Sequence, residues 1–140
     1  MTPSSDWVAV IDDDDSVRRA LTRFLKAHDV HAESYESADA YVERSPAGLP
    51  AGLPACLVLD VQLLKGMSSF ALLDRMDLEG TRVPVIFITG QTELQAELLE
   101  RYPELRALLR KPFDTGILLA RVQHHLQRSG QPRSLRLRAS

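Results

Sequence analysis

The sequence predicts an α/β protein: a five-stranded parallel sheet, doubly wound by helices in a (βα)5 order. Three observations carry that reading. Four apolar runs, WVAVI at 7–11, ACLVLD at 55–60, VPVIFIT at 83–89 and ALLR at 107–110, are strand length rather than helix length. The first and third are unbroken and β-branched, the pattern of strands covered by helices on both faces. The stretches between them carry helical periodicity or helix-start signals, and a chain of 140 residues has room for one ordinary domain of this kind.

Each helix has its own signal. In SVRRALTRFLKAH at 16–28, Val17, Ala20, Leu21, Phe24 and Leu25 fall at i, i+3, i+4, i+7 and i+8, on one face of a helix. SADAYVER at 37–44 and SSFALLDRMD at 68–77 open on serines that can cap, and TELQAELLERY at 92–102 opens on a threonine followed by acidic first-turn residues. The last helix, 115–127, sets Ile117, Leu118, Val122 and Leu126 on a stripe. A weaker strand, DVHAESY at 29–35, completes the alternation. Right-handed βαβ crossovers then leave an open parallel sheet, whose ligands bind at the carboxyl ends of the strands.

We expect residues 1–127 to form this domain and 128–140, RSGQPRSLRLRAS with its start at Arg128, to be a mobile basic tail or the start of a linker. The tandem AGLP within 45–54 reads as a connecting loop. A formal net charge of −2 gives no overall field for nucleic acid or an anionic membrane, so neither is an expected partner. The single cysteine, Cys56, has no intramolecular partner and lies in an apolar run, where a buried, inert thiol is expected. No run approaches a spanning helix and MTPSSDW lacks a signal-peptide pattern, so the expected location is the cytoplasm.

The residues that follow the strands form a polar set: Asp12 to Asp15, then Asp60, then Thr89 and Gly90, then Lys111. In a parallel sheet all of these project from one edge. Carboxylates gathered there repel one another unless a cation neutralises them, and hard oxygen ligands suit Mg²⁺. A carboxylate beside a bound metal is a competent nucleophile toward phosphorus, and the metal, an ammonium and a hydroxyl are the groups that stabilise a transferring phosphoryl group. Gly90 leaves room beside the backbone for such a group.

The string VAVIDDDDSVRRAL resembles the first strand and helix opening of response-regulator receivers, LVLDVQL their phosphoacceptor strand, VIFITG their hydroxyl strand and RKPF their lysine strand. The similarity covers roughly residues 7–127 and implies the flavodoxin-like fold of that family. It implies Asp60 as phosphoacceptor, with Asp12 and Asp13 as the acidic pair. Asp13 would bind Mg²⁺ (or Mn²⁺) directly, Asp12 largely through water, and Asp60 and the backbone carbonyl of Gln62 would complete the protein ligands. Thr89 would bond the phosphoryl oxygen, Lys111 would pair with Asp60 and then with the phosphoryl group, and a cis bond would precede Pro112. The acidic run is longer than the family's pair and admits more than one register. Arg18, six residues beyond Asp12, favours Asp12 and Asp13, leaving Asp14 and Asp15 as cap and first turn.

The implied function is that of a phosphorelay receiver, not an enzyme turning over an external substrate. Its partners would be a sensor histidine kinase or histidine phosphotransfer protein and a downstream protein target, with room for a homodimer. Two departures stand out. The loop VQLLKGMSSF has no proline, is one residue longer than usual and has Ser69 where glycine is common; and Leu108 stands where the family has a rotating aromatic or histidine. These keep in play a phosphorylation-independent interaction module on the same fold. A flavodoxin-like cofactor binder ranks far lower, because Asp12 to Asp15 would repel a bare phosphate. His28, His31, His124 and His125 read as surface residues, and Met67 and Phe70 as helix packing.

Overall fold

The structure, a computed structural model, describes residues 6–44, 52–90 and 94–129. In chain order the elements are β1 (Trp7–Ile11), α1 (Asp15–Ala27), β2 (His31–Tyr35), α2 (Ala38–Arg44), β3 (Cys56–Asp60), α3 (Ser69–Glu79), β4 (Val85–Thr89), α4 (Ala96–Arg101), a 3-10 helix (Pro103–Ala107), β5 (Leu109–Arg110) and α5 (Thr115–Ser129). All five strands are parallel in the order β2-β1-β3-β4-β5. The chain therefore reverses its winding direction between β1 and β3, the switch point where doubly wound sheets bind their ligands.

Alternation along the strands divides the interior into two cores. Val8, Val10, Val58, Ile86 and Ile88 point to one face, which Leu21 and Leu25 of α1 and Leu118 and Val122 of α5 cover. Ala9, Ile11, Leu57, Leu59 and Phe87 point to the other, beneath Tyr41 of α2, Leu72, Leu73 and Met76 of α3, and Tyr102 and Leu105. Removing one of the fully buried leucines, such as Leu72 or Leu118, would cost about 2–5 kcal/mol in lost burial and residual cavity.

Helix ends follow the local chemistry. The Asp14 carboxylate accepts from the Ser16 and Val17 amides and caps α1, Ser37 accepts from the Ala40 amide, and Ser68 accepts from the Ala71 amide. α3 stops at Gly80, whose φ of 69° is the left-handed conformation that glycine adopts without strain.

Several elements differ from their expected limits. The helix expected over 92–102 starts at Ala96 and ends at Arg101, while Thr92, its expected cap, lies outside the described residues. The early stop has a steric reason: the residue before a proline is driven out of the α region, and Tyr102, before Pro103, adopts φ −125°, ψ 82°. The following turn is 3-10, so the strand expected at 107–110 shrinks to Leu109–Arg110. β2 begins two residues late because Asp29 has φ 63°, and β4 begins after Pro84. In α5, Leu118 and Val122 are buried at i and i+4, whereas Ile117 is 46% exposed and does not belong to the buried stripe. Residues 45–51 of the expected loop and 130–140 of the expected tail lie outside the described residues; α5 itself runs to Ser129, past the expected domain limit.

Candidate phosphoacceptor and metal site

The parallel register brings the strand ends to one edge. Ile11 pairs with Leu59, Asp60 with Ile88 and Thr89 with Arg110, so the residues just past β1, β4 and β5 flank the last residue of β3. Asp12 is fully buried and Asp60 only 5% exposed, whereas Asp13 lies nearer the solvent. One carboxylate oxygen from each of Asp12, Asp13 and Asp60 lies within 4.8 Å of the other two. Three anionic oxygens at that separation form the hard-donor set that suits a divalent cation, so the residues present fit Mg²⁺.

Lys111 joins two of these carboxylates. Its Nζ donates to Asp12 Oδ2 at 2.9 Å and to Asp60 Oδ2 at 3.1 Å, and its backbone N–H donates to the Thr89 carbonyl at 2.7 Å. Asp60 Oδ1 accepts from the Gln62 amide at 2.8 Å, so both oxygens of the expected nucleophile are oriented. Burial raises the Asp60 carboxyl above its usual range and the Asp12 charge adds to this, while the Gln62 amide and Lys111 pull the other way. Burial alone would lower the Lys111 ammonium, but its hydrogen bonds to Asp12 and Asp60 outweigh burial and hold it above its ordinary value.

Thr89 is fully buried at the end of β4. A Cβ added at Gly90 would meet nothing within 4 Å, so space is open on that side. The Lys111–Pro112 bond is cis, as the resemblance implies. Arg18 donates to the Asp12 carbonyl at 2.8 Å and to the Asp15 carboxylate. Asp14 caps α1 and Asp15 stands in its first turn, as expected. Cys56 is fully buried, and burial pushes its thiol up to about 12, which leaves it inert at neutral pH. His28, His31 and His124 are exposed; His125 is half-buried, and burial followed by the charges of His124 and Arg128 lowers its pKa.

The sequence reading did not single out three contacts around the longer loop. The Ser69 hydroxyl donates to the Asp60 carbonyl, the Leu64 amide donates to Asp13 Oδ2 at 2.9 Å, and the Met67 amide donates to Asp39 Oδ2 at 2.8 Å. Each links residues that only the tertiary fold brings together. Phe70 packs as expected, stacking on Tyr102 at 4.6 Å and tilting against Phe87 at 6.2 Å. Leu108 is half-buried against that core.

A buried aspartate at the switch point of a 2-1-3-4-5 parallel sheet, bonded to the lysine just past β5 and flanked by two further aspartates, is the arrangement that the resemblance to receivers implies. The sequence pattern described as the response regulator receiver domain matches residues 8–123, and the chain belongs to that family. Among curated relatives, it is 33% identical to the transcriptional regulatory protein FixJ of Azorhizobium caulinodans over 92% of this chain and 59% of that one. It is 30% identical to the DNA-binding transcriptional regulator NtrC of Escherichia coli over 93% of this chain and 27% of that one. The chain thus spans only part of each of these relatives. A response regulator receiver protein from Burkholderia phymatum has a crystal structure with TM-score 0.70 and 35% identity, covering 86% of this chain and 94% of that one. A FixJ-N crystal structure, 24% identical with TM-score 0.68 over 87% of this chain and 94% of that one, shares the fold. Among the described residues, no helix is long and apolar enough to cross a membrane.

Proposed function

We propose that Asp60 accepts a phosphoryl group from a phosphohistidine of a kinase or phosphotransfer partner, or from a small phosphodonor, with Mg²⁺ (or Mn²⁺) held by Asp12, Asp13, Asp60 and the Gln62 carbonyl. The observation that carries this reading is the placement of Lys111 Nζ between Asp12 Oδ2 and Asp60 Oδ2, beside the three-carboxylate cluster. An Asp60 carboxylate oxygen forms the new bond to phosphorus, the donor's P–N or P–O bond breaks, and its electron pair leaves with the donor. Asp12, Asp13, Asp60 and the Gln62 carbonyl would hold the metal, which would supply charge neutralisation for the transferring phosphoryl group. Lys111 follows the charge from the Asp60 carboxylate to the phosphoryl group, and the Thr89 hydroxyl bonds one of its oxygens. Hydrolysis of the acyl phosphate resets the domain, and the phosphorylated form switches binding to a downstream protein in the cytoplasm. The similarity to the response regulators FixJ and NtrC supports this reading over a phosphorylation-independent module on the same fold.

Incubation with a small phosphodonor and Mg²⁺, followed by intact mass, tests the reading. The expected result is a gain of one phosphoryl group in the wild type and none in Asp60→Asn, whose near-isosteric amide cannot attack phosphorus. Uptake at undiminished stoichiometry in Asp60→Asn would overturn the assignment.

A further inference from the structure

The loop between β3 and α3 carries two groups that face the acidic cluster: Gln62, whose amide bonds Asp60, and Leu64, whose amide bonds Asp13. Leu63 and Met67 anchor its ends by packing against the core beneath α2 and α3. Its middle has no such anchor. Leu64 is 75% exposed, Lys65 and Gly66 are exposed, and this stretch lines an open groove of about 580 Å³ together with Glu36 and Ser37. Apolar burial therefore does not fix residues 64–66.

A polar contact from another element does. Asp39, in the first turn of α2, accepts the Met67 N–H at 2.8 Å. The backbone at Gly66 passes so close that a Cβ there would lie 2.0 Å from Asp39 Oδ2, and Gly66 also has a φ of 72°. Two independent features of residue 66, the missing side chain and the left-handed backbone, are thus what allow the loop to seat on Asp39. From Asp39 the link runs through the Met67 amide and the backbone of Gly66 and Lys65 to the Leu64 amide, and from there to Asp13 Oδ2.

We propose that Asp39, which lies outside the carboxylate cluster, is a positioning residue for metal binding: it fixes the loop whose Leu64 amide orients Asp13. This rests on the proposed function, in which Asp13 is a metal ligand. The Leu64 amide holds one oxygen of Asp13, leaving the other for a cation. Without Asp39 the loop has the neighbouring groove to move into, and Asp13 loses its orientation. Partners that orient a metal ligand commonly set affinity by one to two orders of magnitude, although they never touch the ion.

The test is Mg²⁺ titration calorimetry on wild type, Asp39→Ala, Asp39→Asn and Gly66→Ala, with thermal melts to verify folding. The Kd for Mg²⁺ should rise roughly tenfold in Asp39→Ala. It should stay within about twofold of wild type in Asp39→Asn, whose side-chain carbonyl accepts the same amide. Gly66→Ala should rise at least as far as Asp39→Ala, since its Cβ displaces Asp39. The phosphorylation rate of Asp39→Ala at saturating Mg²⁺ should return to that of wild type, a rescue that general damage to the fold would not show. Wild-type Mg²⁺ affinity in folded Asp39→Ala or Gly66→Ala overturns this proposal and leaves the proposed function standing. Absence of Mg²⁺ binding by the wild type overturns both.

Discussion

The two ends of the strand edge are built from different contacts. At the β1/β3 end, directional bonds between groups far apart in sequence set the geometry: Lys111 to Asp12 and Asp60, Leu64 to Asp13, Met67 to Asp39. At the β4/β5 end, more exposed polar bonds, Tyr102 and Arg101 to Asp74 and Arg82 to Glu104, lie beside extensive apolar packing. Phe70 stacks on Tyr102, Leu105 and Leu108 lie against the core with Phe87, and β5 contributes only two residues to the sheet. Directional bonds hold one geometry, which the proposed phosphoryl transfer would need. Apolar contacts have no preferred direction and can repack, which suits a surface that must differ between two states. The proposed chemistry and read-out are therefore expected to respond to different substitutions.

The largest effect is expected at Asp60. Asp60→Asn removes phosphoryl uptake, yet it should not weaken the fold at pH 7. The sign follows from the raised carboxyl: its folded pKa lies above the unfolded value of 3.8, so ionised Asp60 opposes folding at neutral pH, and this opposition disappears as pH falls through the folded pKa toward 3.8. Thermal melts of the two proteins should show Asp60→Asn at least as stable at pH 7, with the difference shrinking on acidification. A variant clearly less stable than wild type at pH 7 would mean that the bonds made by Asp60 outweigh its burial.

Lys111 comes next. Lys111→Ala should slow phosphorylation about 100-fold or more, the scale of removing one preorganised charge donor. It should also lower stability by about 1–3 kcal/mol, because Asp12 and Asp60 are left without their cation. The ammonium is held above its ordinary value of 10.5, so its stabilisation is complete below pH 10.5 and is lost as pH rises through the folded pKa. Wild type should therefore lose stability in that alkaline window and Lys111→Ala should not, which parallel melts across the window would check.

Asp13 and Asp15 separate the two registers of the acidic run. Asp13→Asn should weaken Mg²⁺ binding about tenfold or more, as expected for a direct ligand. Asp15 pairs with Arg18 and Arg19 on the exposed first turn of α1, so Asp15→Asn should leave the metal unaffected and change stability by no more than about 0.5 kcal/mol. A titration in which Asp15→Asn weakens the metal more than Asp13→Asn would reverse the assignment.

The contrast between the two ends also explains what was legible in the sequence. Asp12, Asp60, Thr89 and Lys111 could be read because each follows an apolar run, and parallel strands deliver such residues to one edge whatever the loops do. Asp39 could not: an acidic residue in the first turn of a helix has a sufficient local reason to be there, and only the tertiary path of the loop places Gly66 against it. At the β4/β5 end the local helical pattern is overridden. TELQAELLERY continues a helical pattern up to Tyr102, but Pro103 was the stronger instruction and turned the next residues into a 3-10 helix that shortened β5. Ile117 fits the α5 stripe by spacing, yet it is 46% exposed, while Leu118 and Val122 are buried on the sheet and Leu119 and Leu126 partly buried beside them.

The smallest effect on chemistry, and the sharpest test of the division, is expected at Leu108. This side chain is half-buried against the core that holds Phe87, Tyr102 and Leu105, and with Leu94, Leu99, Leu105, Arg106 and Arg110 it lines a groove of about 380 Å³. It has no ring to swing and no polar atom with which to reach the carboxylates. In Leu108→Ala the lost contacts should cost less than the ~2–5 kcal/mol of a fully buried leucine, because part of the side chain already meets water. In Leu108→Tyr the ring has the neighbouring groove to enter. Both variants change the shape of the β4/β5 surface while leaving Lys111, Asp60 and the acidic pair in place. Partner binding or self-association should therefore shift more than the rate of Asp60 phosphorylation, measured against a common phosphodonor and compared with sedimentation of the phosphorylated forms. A tenfold loss of rate, about 1.4 kcal/mol of barrier, would place Leu108 within the chemistry and remove the distinction between the two ends.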